Sequence, residues 1–185
     1  MTRIGFMSDL HLDSNQFGYF ERQILHQLLK EEQIDIIPLY GGNLKNWVDK
    51  NYLKNSNIIE FHIYDSDLNS GKNTNKYQEE IDKINSRNDG SCAVKTKKRE
   101  MENYIHKSLI KEEFGIDLSD IVDYDVEDIP SFIASRMCGE KTEEVIKAIL
   151  NGKLSKQLTK EMLEELDAFD EIKGWFEKIK ELSNL

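Results

Sequence analysis

Two carboxylates separated by one serine, Asp65-Ser66-Asp67, stand directly after the run Ile58-Ile59-Glu60-Phe61-His62-Ile63-Tyr64. Oxygen donors at that spacing suit a hard divalent cation such as Mg2+ or Mn2+. Asp and Ser are also ordinary turn residues, so a solvated turn is the plainer reading of the tripeptide alone. Two more acidic clusters follow apolar stretches: Asp9, with His11 and Asp13, comes after Thr2–Ser8, and Glu100 and Glu102 come after Ser91–Val94. If these stretches are strands of one parallel sheet, all the acids fall along one edge, where open α/β sheets place their ligands. Converging carboxylates repel one another unless a cation neutralises them. One or two Mg2+ ions, holding an attacking water and a leaving oxygen, would then suit phosphodiester hydrolysis. Lys95-Thr96-Lys97-Lys98-Arg99 adds basic side chains that could meet phosphate oxygens, although a solvated basic turn explains the run as well.

The surrounding pattern supplies elements to position these residues. Thr2–Ser8 reads as a short strand, and Phe20, Ile24, Leu25, Leu28 and Leu29 recur at helical spacing from Tyr19 to about Gln33. Residues 34–39 read as a second strand, completing a βαβ unit with a parallel pair. Gly41-Gly42-Asn43 turns the chain into a helix with Leu44, Trp47, Val48 and Leu53 inward and Asn43 as its N-cap. The run before Asp65 is apolar enough for a strand buried on both faces. Thr74 or Asn75 can cap a helix to about Arg87, and Asn88-Asp89-Gly90 turns into a fourth strand at Ser91–Val94. A single helix is expected from about Glu100 to Glu113. The aspartate-rich run Asp117–Asp128 reads as a solvated connector, since it lacks the spacing of a calcium loop. Helices are expected at Ile129–Met137, Thr142–Leu150, Thr159–Leu166 and Asp170–Leu182. His62 falls inside a strand and His106 on a helix, both read as packing or surface residues.

Composition limits the classes open to the chain. Its 185 residues suffice for one domain with an appendage, and 32% charged against 38% hydrophobic residues, with mean hydropathy −0.62, fit a soluble protein. No apolar run approaches the roughly 20 residues that span a bilayer. Arg3 and Asp9 do not fit a signal peptide. Cys92 and Cys138 show no metal-type spacing, which points to a reduced, cytoplasmic setting. A net charge of −10 argues against a surface that coats nucleic acid but leaves room for a local nuclease site.

Four segments, PLYGGN (38–43), HIYDSD (62–67), TKKREMENYIH (96–106) and the run from Asn151 to Ile179, resemble the TOPRIM nuclease domain of OLD-like ATP-dependent endonucleases. REMENY is the most specific piece, and the resemblance covers residues 38–185. It implies an α/β fold with a TOPRIM-like parallel sheet of about four strands flanked by helices, followed by a helical C-terminal region. The reading divides the chain into a core, 1–114, and a helical extension, 115–185. The resemblance implies a Mg2+- or Mn2+-dependent endonuclease hydrolysing DNA phosphodiesters. Asp65 and Asp67 would be metal ligands and catalytic residues, and Glu102 a further acidic member. A lysine of the C-terminal part, Lys153 or Lys156, would stabilise developing phosphate charge.

The N-terminus departs from that pattern. TOPRIM domains carry Glu-Gly after the first strand, and this chain has no such pair. MTRIGFMSDLHLD instead resembles the first motif of calcineurin-like metallophosphoesterases, which implies Asp9 and His11 as metal ligands. That similarity runs to about Ile37, and the later motifs of the family are absent. Asp9 would then stand near the place of the missing glutamate. No GxxxxGK[ST] occurs, so an ATPase of the OLD type would be a separate partner or lost. A homodimer is compatible with this reading. A metallophosphoesterase-like hydrolase centred on Asp9 and His11, and an inactive remnant serving as an interaction module, are the alternatives.

Overall fold

The structure, a computed structural model, describes residues 3–8, 34–38, 44–56, 58–68 and 76–183. The expected helix at 19–33, the turn at 41–43, the caps Thr74 and Asn75, and Asp9, His11 and Asp13 lie outside the described residues.

The run Ile58–Tyr64 (β3) sits at the centre of the architecture. Six of its seven residues are buried, as its β-branched and aromatic content demands of a strand covered on both faces. It pairs in parallel with β1 (Arg3–Ser8) on one side and β4 (Cys92–Lys95) on the other, and β1 pairs in parallel with β2 (Ile34–Pro38). The sheet order is β2-β1-β3-β4. The chain therefore adds strands outward from β1 in one direction, then crosses over and continues outward from β3 in the other. Open α/β sheets take their ligands at such a reversal, outside the carboxyl ends of the two central strands. Ser8, the last residue of β1, is the register partner of Ile63, so both strands end at the same level.

Alternation along β3 divides the packing. Ile59, Phe61 and Ile63 face Ile172, Trp175, Phe176 and Ile179 of the long C-terminal helix. Full burial of side chains such as Phe61 and Ile63 contributes about 1.5–3 kcal/mol each. On the other face, Tyr64 and Ala93 pack with Leu44 and Val48 of α1 (Leu44–Lys50) and Ile81 and Ile84 of α2 (Gln78–Asn85). The two polar members of the strand, Glu60 and His62, share the Tyr64 face. Glu60 accepts from Arg87 at 2.7 Å and Trp47 at 3.1 Å, and His62 Nε2 donates to it at 2.8 Å. His62 Nδ1 accepts from the Tyr64 hydroxyl at 2.9 Å, so the buried chain is satisfied from end to end. The reading of His62 as a packing residue holds.

The single helix expected from Glu100 to Glu113 is broken in two. A 3-10 turn at Met101–Tyr104 opens with Glu100, and the α-helix proper, α3, spans Lys107–Phe114. Between them Ile105 is extended, and His106 caps α3 by accepting from the Ser108 amide. The break has a tertiary cause: Glu102, Asn103 and Tyr104 are all buried and each reaches a different partner, which a continuous helix could not satisfy. Gly115 ends α3 with φ 67, the left-handed conformation that favours glycine.

The region after residue 114 continues as α4 (Ile129–Arg136), α5 (Glu143–Ile149), α6 (Lys160–Glu165) and α7 (Phe169–Ser183). Asp128, Thr142 and Thr159 cap α4, α5 and α6 through their side chains. α3, α4 and α5 share a second apolar core containing Ile110, Ile133, Ile146 and Leu150. The aspartate-rich run is not a solvated connector. Leu118, Ile121 and Tyr124 are buried in that core, and the Tyr124 hydroxyl donates to the Ile105 carbonyl at 2.6 Å. The protein is thus a mixed α/β fold in which α7 forms the cover of one sheet face. No helix among the described residues is long and apolar enough to cross a membrane.

Candidate functional site at the carboxyl edge of the sheet

Ser66, the residue between the two aspartates, anchors the loop after β3. It is buried, its amide donates to Thr96 Oγ1 at 2.9 Å, and its hydroxyl donates to the Lys98 carbonyl at 2.7 Å. The Asp67 amide donates to the Arg99 carbonyl at 3.0 Å. The tripeptide is therefore not a free solvated turn: it is stitched to the segment leaving β4. Asp67 adopts φ 52, a left-handed conformation that Asp tolerates better than most side chains.

The REMENY stretch forms the other wall. Glu100 and Asn103 make a reciprocal capping box, with the Glu100 amide donating to Asn103 Oδ1 at 3.1 Å. Asn103 Nδ2 donates to the carbonyls of Tyr124 at 2.6 Å and Glu127 at 3.0 Å, which ties the acidic loop down. Tyr104 donates its hydroxyl to Glu171 of α7 at 2.8 Å. Of this stretch, Glu102 points toward a third partner, the junction after α5.

There α5 passes into a π turn, Leu150–Leu154, and then a 3-10 turn, Ser155–Gln157. Single π turns inside helical segments recur at functional sites, because they re-aim side chains out of the regular 3.6 period. Lys147 and Asn151 flank the transition and both face Glu102. Asn151 Nδ2 donates to Glu102 Oε1 at 2.9 Å, and Lys147 Nζ lies 3.9 Å from the same oxygen. Lys147 also donates to Glu100 Oε2 at 2.8 Å. Asp65 adds its negative charge to the field on Lys147. Burial works against the charged ammonium, but Glu102, Glu100 and Asp65 outweigh it and raise the lysine above its ordinary range. Burial raises Glu102 above the usual carboxylate range, and the charge of Glu100 adds to the rise, while Lys147 and Asn151 oppose it.

The structure thus brings Glu100 and Glu102 together around Lys147, with Asp65 near enough to act on the lysine electrostatically. Of the two lysines expected from the C-terminal part, Lys153 turns to a different carboxylate. Lys153 is paired with Glu113 of α3, and Lys156 is exposed in the 3-10 turn. The carboxylate of Asp67 accepts from Lys76 at 3.2 Å, just ahead of α2. Asp9 and His11 lie outside the described residues, although β1 ends at the same edge. Sequence spacing did carry a signal for Lys147 and Asn151: they stand four apart, hence on one face of a helix.

The basic run is committed to structure more than to a ligand. Lys98 is buried and paired with Asp125, and Arg99 donates to Asp128 at 2.8 Å and to the Val126 carbonyl at 3.3 Å. Aspartates of the acidic loop serve as counter-ions to the basic run, which explains why both occur in one chain. Lys97 is exposed.

The donor set tests the implied metal directly. Among the described residues, no group of three or more His, Cys, Asp or Glu side chains could hold a metal ion. Glu100 and Glu102 face an ammonium, so the described carboxylates do not by themselves fit a divalent cation. No protein-family model matches the chain, and neither a curated protein nor a solved structure shows significant similarity to it.

Proposed function

We propose that the chain is a TOPRIM-like nuclease that hydrolyses DNA phosphodiester bonds with Mg2+ or Mn2+ as cofactor. One observation carries this reading: Glu100 and Glu102 share Lys147, on the segment to which the loop Asp65-Ser66-Asp67 after β3 is hydrogen-bonded. The reversal of strand order between β1 and β3 supports it, since open α/β sheets bind ligands at that point. Asp65 and Glu102 are the carboxylates assigned to the site, with Asp67 at its rim. Asp9, next in sequence after the end of β1, is the residue assigned to complete the donor set. Lys147 takes the charge-stabilising role that the sequence reading gave to Lys153 or Lys156. DNA is the proposed substrate.

A second reading is favoured by the ammonium itself. A lysine that neutralises the acids would also suit a catalytically inactive interaction module that keeps the fold and has lost its ion.

Plasmid nicking separates the two. Supercoiled DNA is incubated with Mg2+ or Mn2+ and the wild-type chain, Asp65→Ala, Asp67→Ala or His11→Ala. Nicking that needs the ion and is lost in Asp65→Ala supports the nuclease. Loss in His11→Ala with Asp65→Ala still active supports the metallophosphoesterase alternative centred on Asp9 and His11. Absence of nicking by the wild type with either ion supports the inactive module.

A further inference from the structure

The outer side of β4 is already paired, by a side chain. Among the described residues β4 is an edge of the sheet, with β3 on one side only. The Thr96 amide donates to the Tyr64 carbonyl at 2.9 Å, so Cys92, Val94 and Thr96 turn their backbone groups toward β3, while Ser91, Ala93 and Lys95 turn theirs outward. Asn85, the last residue of α2, meets Ala93 from that outer side. The Ala93 amide donates to Asn85 Oδ1 at 2.8 Å, and Asn85 Nδ2 donates to the Ala93 carbonyl at 3.3 Å. A side-chain amide carries an acceptor and a donor side by side. It therefore reproduces the two bonds that an antiparallel neighbour strand would exchange with a single residue. Two positions earlier, the Ser91 amide donates to the Asp89 carboxylate at 2.9 Å. Asn85 is itself exposed, so burial does not account for its place at the edge.

A strand edge that presents outward amides and carbonyls is a template for another extended chain. Strand β4 of a second copy fits it, because an antiparallel pair of identical strands is self-complementary about a twofold axis. We propose that Asn85 is a strand surrogate that closes this edge: by occupying both backbone groups of Ala93, it keeps β4 from pairing with β4 of a second copy. Such pairing has to break both bonds to Asn85 before it can form its own. The inference is independent of the reading of the carboxyl edge. It gives α2 a second task besides packing Ile81 and Ile84 against the sheet, since its last residue also ends the sheet.

Sedimentation of the full chain over a range of concentrations tests the closure. Asn85→Ala should associate toward twice the wild-type mass as its concentration rises. Asn85→Asp, which keeps an acceptor for the Ala93 amide and adds a charge to the edge, should hold the wild-type mass. Amide hydrogen exchange locates the contact. The Ala93 amide should exchange about ten-fold faster in dilute Asn85→Ala than in wild type, the ratio for loss of one hydrogen bond, and slow again as the variant associates. A wild-type Ala93 amide that exchanges like an unpaired one overturns the proposal without any variant having to fold. A folded Asn85→Ala that keeps the wild-type mass at every concentration overturns it too. So does association of Asn85→Asp equal to that of the alanine variant, or association that leaves the Ala93 amide fast.

Discussion

Asn151 Nδ2 donates to Glu102 Oε1 across 2.9 Å, joining residues 49 positions apart at the carboxyl edge of the sheet. Both are buried, so neither side chain can turn to water in place of the other. The bond is what holds a buried carboxylate in position beside Lys147.

Replacing Asn151 with alanine leaves Glu102 with one neutral donor fewer in a buried setting. A hydrogen bond to a charged group of this kind is worth about 1.5–3 kcal/mol, so Asn151→Ala should lose that much stability in urea titrations at pH 7.5. Asn151→Asp should be worse, because it places a second carboxylate against the first. An Asn151→Asp protein as stable as the alanine variant would contradict this arrangement.

Asn103 is fully buried and makes three side-chain bonds, to the Glu100 amide and to the carbonyls of Tyr124 and Glu127. Alanine there should cost about 2–4 kcal/mol, since each lost bond leaves a backbone group to find a new partner. Its signature is local. Cleavage at Glu127 by a glutamate-specific protease should accelerate more than in a variant of equal overall instability with the acidic loop untouched.

A suitable comparison is Phe176→Ala. Phe176 is 2% exposed among Ile59, Phe61, Ile63 and its own helix neighbours, in a different apolar cluster from Leu118, Ile121 and Tyr124 of the acidic loop. Removing the ring should lower stability by about 3–5 kcal/mol, the usual range for a buried phenylalanine. Thermal unfolding followed by circular dichroism would register it; a loss under 1 kcal/mol, well below that range, would mean that α7 does not cover β3 as described.

The buried chain on the opposite face predicts a pH dependence. Burial, the largest influence, holds His62 below the ordinary imidazole range, with Arg87 adding to the fall and Glu60 opposing it. The unfolded chain therefore takes up this proton before the folded one does. The His62 contribution is complete above about pH 6.5 and declines as pH falls below that value toward the lowered folded pKa. Burial raises Glu60, but His62, Arg87 and Trp47 outweigh it and leave the carboxyl below its usual range. Its contribution is lost in the same direction at lower pH, below about 4.3. Urea midpoints measured from pH 7.5 to 5.0 should drop for wild type, and the drop between 6.5 and 5.0 should shrink in His62→Gln. Equal slopes in the two proteins would rule out His62 as the source.

Much of the framework was legible in the chain itself. The short apolar runs that became Arg3–Ser8, Ile34–Pro38, Ile58–Tyr64 and Cys92–Lys95 announce strands by their length and their bounding polar residues, and in Ile58–Tyr64 burial on both faces leaves little room for polar side chains. Thr142 and Thr159 announced two helix starts because a hydroxyl ahead of an apolar period satisfies the first free amides. The pair Asp65 and Asp67 was visible from its position after the longest of the runs.

What tertiary structure alone decided is which of these groups meet. The regular period of Glu100–Glu113 hides the break at Ile105, because helix periodicity does not register buried side chains that need separate partners. The basic run and the acidic loop each look solvated until Lys98 meets Asp125 and Arg99 meets Asp128, contacts across nearly thirty residues. Lys153 and Lys156 are as basic as Lys147 in the sequence. Lys147 is the one whose helix face, extended by the π turn that carries Asn151, is turned toward Glu102. Local pattern sets where elements begin and which faces are apolar; long-range packing selects which lysine stands among the acids.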